Sequence, residues 1–145
     1  MNNNKFTLRI PSRSSNESFA RVTVAAFAAQ LDPTLEEISD IKTSVSEAVT
    51  NCNVHAYPKS IGMVYISCEI LKDNVIKIKV RDKGCGIADI EQARQPLFTT
   101  GGEERAGLGF AVMESMMDSV RVSSKQGKGT IITMKKKISQ KDNAR

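Results

Sequence analysis

Several stretches of the chain alternate hydrophobic with polar residues, which is the pattern of a strand with one buried face. In the first stretch, Phe6, Leu8 and Ile10 alternate with polar neighbours. The alternating stretches predict five strands, at Lys5–Pro11, Val64–Ile70, Ile76–Val80, Val120–Ser124 and Thr130–Lys136. Turn residues at 72–74 and 127–129 divide the last four into two pairs, so we predict two hairpins.

Between the strands, apolar residues recur at the three- and four-residue spacing of helices. A first helix is predicted after Ser14 and Ser15, which are candidate N-caps. A second is predicted to begin at Asp32-Pro33 and to end near Tyr57-Pro58. Its buried face would carry five apolar residues, Ile38, Ile41, Val45, Ala48 and Cys52.

With a third helix predicted at Gly109–Asp118, the order of elements is β-α-α-β-β-α-β-β. This order favours an α+β fold, a two-layer sandwich in which a mostly antiparallel sheet carries helices on one face. We predict one domain over residues 1–138 and a disordered basic tail over residues 139–145. The long stretch between Asp82 and Gly109 exceeds an ordinary connection and is predicted to hold a lid at about residues 95–108.

Composition limits the possible functions. The chain has 145 residues, and its 3 widely spaced cysteines and 1 histidine predict a reduced, cytoplasmic protein without a zinc site. No apolar run approaches the roughly 20 residues of a membrane helix, so membrane insertion is not expected. Residues 135–145 hold +4 of the total formal charge of +5. With few aromatic residues and no basic stripe expected in the body, direct nucleic-acid binding is not predicted either.

The commonest nucleotide-binding motifs are missing from the sequence. There is no G-x-x-x-x-G-K-[ST] loop. Asp89 and Val112 stand where a dinucleotide fingerprint needs its third small residue. The combination of H-R-D with D-F-G that marks common protein kinases is also absent.

Glu47, Asn51 and His55 are spaced four residues apart on the second predicted helix and would share one face. This polar stripe has two interpretations. It is either the solvent side of an amphipathic helix, together with Asp40 and Ser44, or a row of functional groups. The amide of Asn51 slightly favours the second, because amide side chains are mediocre helix formers. We assign no catalytic role to His55.

Two glycine-containing stretches are candidates for ligand contact. In Asp82-Lys83-Gly84-Cys85-Gly86, glycines let a ligand approach, and the carboxylate can accept a hydrogen bond from the amine of adenine. Gly107-Leu108-Gly109 is predicted to open the third helix, where free N–H groups and nearby Arg105 would suit phosphate. Each motif alone is equally consistent with an ordinary turn or flexible loop.

Taken in order, E-A-V-T-N at residues 47–51, D-K-G-C-G at 82–86, G-L-G at 107–109 and G-K-G-T at 127–130 resemble four nucleotide-binding boxes. These are the boxes of the ATPase superfamily of gyrase, Hsp90-type chaperones, histidine kinases and mismatch-repair proteins, whose fold is the Bergerat type. Three further segments, at residues 16–27, 46–51 and 93–100, are similar to the sporulation anti-sigma-F factors. The resemblance covers the chain up to about Ile138.

The resemblance implies specific roles at the matching positions. Glu47 would be the catalytic base, and Asn51 would hold Mg²⁺ against the phosphates of ATP. Asp82 would read adenine, with Gly84, Gly86 and Thr130 beside it. The remaining nucleotide contacts would come from the lid and the third helix, through Thr99, Thr100, Arg105, Gly107 and Gly109.

The resemblance also implies partners. Members of this family are homodimeric serine protein kinases that hold the sporulation sigma-F factor inactive and phosphorylate an anti-anti-sigma protein. Glu17 and Arg21 would contact partners, although such an i,i+4 pair is ordinarily helix support. Two alternatives remain open: a nucleotide-gated binding protein without phosphate transfer, and a detached histidine-kinase domain. The second is disfavoured because the only histidine lies in the helix of Glu47.

Overall fold

The computed structural model describes residues 4–84 and 102–139. Residues 95–101 of the predicted lid and the tail from residue 140 lie outside these ranges. Within the described ranges, no helix has the length and apolar character needed to cross a membrane.

In residues 4–84 and 102–139, five strands form one antiparallel sheet in the order β1-β2-β3-β5-β4. Their bounds are Lys5–Pro11, Met63–Leu71, Val75–Asp82, Ser119–Lys125 and Gly129–Lys137 for β1 to β5. The two predicted hairpins are β2–β3 and β4–β5, and every neighbouring pair is antiparallel. The pairing places Asp82, the last residue of β3, opposite Thr130 at the start of β5. The predicted α+β class is confirmed.

Among the described residues, three α-helices accompany the sheet: α1 at Ser15–Ala28, α2 at Leu35–Asn51 and α3 at Gly102–Met116. The predicted start of α2 at Asp32-Pro33 is wrong. Asp32 has a φ of 55° and ends the short 3-10 turn that follows α1, whereas an N-cap needs an extended backbone. Thr34 is the cap, and it exchanges hydrogen bonds of 3.1 and 2.9 Å with Glu37 in a capping box.

The predicted start of α3 is also wrong. The helix begins seven residues before Gly109, so Gly107 and Gly109 lie inside it and their amides do not belong to its first turn. Residues 103–106 are Glu, Glu, Arg and Ala, which are good helix formers. The helix preference of these residues outweighs the energetic cost of placing Gly107 and Gly109 in a helix, although the two glycines had suggested a loop.

One face of the sheet is covered by the helices and forms the core. The buried side chains of the strands include Val64, Ile66, Ile78, Val80 and Met134. From the helices, α2 contributes Ile41, Val45, Ala48 and Val49, and α3 contributes Phe110 and Met113. Ser44 is also fully buried. The polar stripe of α2 is therefore not simply its solvent side, because one of its members faces the core.

The other face of the sheet is basic. Lys77, Lys79 and Arg81 alternate with buried residues on β3, and Lys77 pairs directly with Lys135 of β5. The expectation that the body carries no basic stripe is therefore wrong for this face. A charge summed along the chain cannot separate the two faces of a strand.

Candidate functional site

Asp82 lies at the end of β3, where the sheet meets the C-terminal end of α2. Its side chain is buried, with a relative exposure of 6 %. The amide of Gly84 donates to its Oδ1 at 3.0 Å, and the thiol of Cys52 lies 3.6 Å from its Oδ2. Burial raises the pKa of the Asp82 carboxyl, and the hydrogen bonds from Gly84, Cys52 and Thr130 partly offset that rise. The carboxylate is thus fixed in direction while keeping acceptor capacity for a ligand.

Thr130 is buried beside this carboxylate, as the pairing of β3 with β5 requires. Its hydroxyl lies 2.7 Å from the hydroxyl of Ser124, which donates at 3.0 Å to the carbonyl of Gly129. Gly129 has a φ of 101°, and a Cβ there would overlap the carbonyl oxygen of Asp82. The start of β5 therefore packs directly against the backbone that carries Asp82.

Glu47 and Asn51 meet Gly109 of α3, which confirms that they share one face of α2. A Cβ at Gly109 would lie 3.0 Å from Oε2 of Glu47 and 3.5 Å from Oδ1 of Asn51. The absence of a side chain at Gly109 thus leaves room for the carboxylate and the amide. Position 109 therefore suits glycine because the space between α2 and α3 is narrow there, and not because a turn requires glycine.

The amide nitrogen of Asn51 is buried and has no hydrogen-bond partner among the described residues. A buried polar atom without a partner costs about 1–3 kcal/mol and commonly marks the place of a ligand or ion. The Oδ1 atom of the same side chain is an oxygen ligand of the kind that Mg²⁺ prefers. The residues present therefore fit a magnesium-bound nucleotide.

Glu17 and Arg21 of α1 belong to the same surface as Glu47. Their side chains form an ion pair of 3.7 Å and are partly exposed, Arg21 by 37 % and Glu17 by 25 %. Both line a groove of about 450 Å³ between α1 and α2. The rest of its lining is Val22, Ser39, Lys42, Thr43, Ser46 and Glu47.

Three predicted site residues lie outside the described part of the chain, namely Gly86, Thr99 and Thr100. The side chains of His55 and Arg105 are likewise not described. Gly107 lies within α3. The roles predicted for these residues stay predictions.

Sequence reasoning missed the residues that hold Asp82 in place. After Asn51 the helix widens into a π turn, Cys52–Ala56, and Tyr57 follows it. The hydroxyl of Tyr57 accepts from the amide of Lys83 at 2.7 Å and donates to the carbonyl of Met63 at 2.9 Å. A Cβ at Gly84 would overlap the carbonyl oxygen of Ala56. The one available signal was a tyrosine just before the proline that ends the helix, and that signal is weak.

Comparison with known proteins places this chain in a family. The family profile of histidine kinase-like ATPase domains matches residues 10–136. The anti-sigma F factor of Caldanaerobacter subterraneus is 61% identical over 137 residues, which cover 94% of this chain and 95% of that protein. The anti-sigma F factor of Heyndrickxia coagulans is 57% identical and covers 96% of both chains. That of Clostridium acetobutylicum is 54% identical, covering 93% of this chain and 94% of its own.

Solved structures with low sequence identity share the fold. The RsbU and RsbW domains of a Mycobacterium tuberculosis protein superimpose with a TM-score of 0.70 at 18% identity. The match covers 94% of this chain and 32% of that one. A histidine kinase domain from Erythrobacter litoralis gives a TM-score of 0.58 at 19% identity, covering 84% of this chain and 61% of its own. These two matches concern the fold alone.

Proposed function

Because this chain belongs to the anti-sigma F factors, within the family of histidine kinase-like ATPase domains, we propose that it is an anti-sigma factor and an ATP-dependent protein-serine kinase. ATP binding follows from the family itself. The chain would bind and inhibit a sporulation sigma factor of the sigma-F type. It would phosphorylate the anti-anti-sigma protein that antagonises this inhibition, on a serine, as a homodimer in the cytoplasm.

The groove between α1 and α2 is the observation that carries the kinase proposal. It runs from the Glu17–Arg21 pair to Glu47, so one continuous surface joins the expected partner contact to the expected base. A partner segment that lies in this groove would bring a hydroxyl to the carboxylate of Glu47. One small partner protein could then contact the Glu17–Arg21 pair and present its hydroxyl to Glu47 at the same time.

Each residue of the site has a separate task in this proposal. Glu47 accepts the proton of the substrate hydroxyl, a general-base role in which position matters first. Asn51 supplies the amide oxygen that would hold Mg²⁺, and the ion when bound neutralises charge on the phosphates. Asp82 accepts from the exocyclic amine of adenine, and Thr130 lies beside the base. Phosphate transfer depends mainly on such positioning and charge neutralisation.

Replacing Asn51 with alanine is expected to weaken binding of Mg²⁺-ATP about tenfold or more, since a lost metal ligand or its support typically costs 10–100-fold in metal affinity. Binding of ATP in the presence of a chelator should change much less. Calorimetric titration with and without Mg²⁺ measures both affinities. Equal weakening of the two forms would contradict a metal role for Asn51.

Transfer itself is tested with γ-labelled ATP, Mg²⁺ and the candidate anti-anti-sigma protein. Label is expected on one serine of that protein and absent from its serine-to-alanine variant. A gated binding protein would bind nucleotide, change its affinity for the sigma factor with ATP, and transfer no label. That result would overturn the kinase part of the proposal and leave the anti-sigma part standing.

A further inference from the structure

The π turn that follows α2 and the next residue, Tyr57, contact three successive residues at the end of β3 and just after it. The thiol of Cys52 reaches Asp82, the hydroxyl of Tyr57 reaches the amide of Lys83, and the carbonyl of Ala56 packs against Gly84. We propose that Cys52 and Tyr57 are positioning residues for adenine recognition, because they fix where the Asp82 carboxylate points. This inference rests on the proposed role of Asp82.

Cys52 acts on the carboxylate directly. It is buried, with 1 % exposure, and its Sγ lies 3.6 Å from Oδ2 of Asp82. This contact has the geometry of a hydrogen bond in which the thiol donates to the carboxylate. With Gly84 donating to Oδ1, both carboxylate oxygens are held from inside the protein.

Tyr57 acts on the backbone that carries the carboxylate. Its hydroxyl bridges the carbonyl of Met63, at the start of β2, and the amide of Lys83, just after the end of β3. The ring is held in place by close packing against Gly62, where any Cβ would overlap it. These two hydrogen bonds connect the amide of Lys83 to the start of β2 and so restrain the backbone just after Asp82.

The π turn makes both contacts possible at once. In an α-helix, residues five apart lie about 140° from each other around the axis, so Cys52 and Tyr57 would face different directions. Here the amide of Tyr57 donates to the carbonyl of Cys52 at 3.2 Å, which closes a wider turn. This wider turn brings the residues at its two ends toward the same side, where Cys52 contacts Asp82 and Tyr57 contacts Lys83. π turns inside helices occur often at functional sites.

The chain offers a matched control for each residue. Cys68 is also a fully buried cysteine, and burial alone raises its pKa to about 12. Tyr65 also contacts Lys83, but through its ring on the basic face of the sheet, 5.1 Å from the ammonium. Cys68→Ala and Tyr65→Phe therefore repeat the chemical change without touching the carboxylate or the loop amide.

The test compares the affinities for ATP and for inosine triphosphate, which carries an oxygen in place of the exocyclic amine. The affinity for ATP divided by the affinity for inosine triphosphate measures recognition of the amine. In Cys52→Ala and Tyr57→Phe, this ratio is expected to fall about fivefold, the equivalent of one hydrogen bond. Cys68→Ala and Tyr65→Phe should keep the wild-type ratio, whatever they do to the melting temperature. Cys52→Ser retains a donor and is expected to retain most of the ratio.

Asp82→Asn separates this inference from the function on which it rests. If Asp82→Asn leaves the ratio unchanged, Asp82 does not read adenine, and both the inference and that part of the proposed function are overturned. If Asp82→Asn removes the preference for ATP while Cys52→Ala and Tyr57→Phe behave like their controls, only the positioning role is overturned.

Discussion

Replacing Glu47 with alanine is expected to slow phosphate transfer to the anti-anti-sigma protein by about 10²–10⁴-fold, the usual contribution of a general base. Binding of ATP should persist, because the expected adenine contact at Asp82 comes from a different element, the end of β3. Single-turnover transfer from labelled ATP measures the rate, and calorimetric titration measures the affinity.

Glu36→Ala is the matched control for this prediction. Glu36 is exposed in the first turn of α2, about three helical turns from Glu47, and is not among the residues that line the groove. Its removal should cost a few tenths of a kcal/mol of helix stability through the lost interaction with the helix dipole and should leave transfer unchanged. Transfer by Glu47→Ala at the rate of Glu36→Ala would remove Glu47 from the role of base.

The second large effect is expected at Gly129. Gly129→Ala should lower the free energy of unfolding by roughly 2–5 kcal/mol, since left-handed backbone costs a non-glycine residue about 1–2 kcal/mol and overpacking adds about 1–3. The added Cβ would overlap the carbonyl of Asp82 and lie 2.8 Å from Cα of Lys83. ATP affinity should fall as well, because relief of this contact moves the Asp82 loop. Urea unfolding and nucleotide titration measure the two effects.

Gly127→Ala separates the cost of backbone strain from the cost of the close contact with Asp82. Gly127 stands two residues earlier in the same turn and also has a positive φ, 81°, but no atom lies within 4 Å of the position of its Cβ. Its replacement should cost only about 1–2 kcal/mol, the conformational term alone, and should leave ATP affinity intact. If the two alanine variants lose the same stability and both bind ATP normally, the close approach at Gly129 has no role in holding the loop.

The strands were the most predictable part of the fold. Alternation placed each strand within two residues of its observed bounds, as for β2 at Met63–Leu71 against the predicted Val64–Ile70. Alternation succeeds because a strand with one buried face must repeat its apolar residues every second position.

Helix beginnings were less predictable. Thr34 rather than Asp32 caps α2, and α3 starts at Gly102 rather than Gly109, because glycine, aspartate and proline mark turns as well as helix ends.

The residues of the site likewise divide into those that the sequence predicted and those that only the structure revealed. Spacing predicted that Glu47 and Asn51 share a face, and Gly109 confirms it by lying against both. Spacing did not predict that Cys52 and Tyr57 would hold Asp82. That arrangement needs a π turn, and five residues of ordinary helical composition give no local sign of one.

The sequence by itself determined the α+β order of elements, the single face that Glu47 and Asn51 share, and the resemblance that placed both in an ATPase. These features depend on periodicity and on short motifs, which are local properties of a chain. Only the tertiary structure decided which residues hold Asp82, why Gly109 and Gly129 have no side chain, and that the groove from Arg21 reaches Glu47. Each of those depends on the distance between elements far apart in the chain, and packing sets that distance.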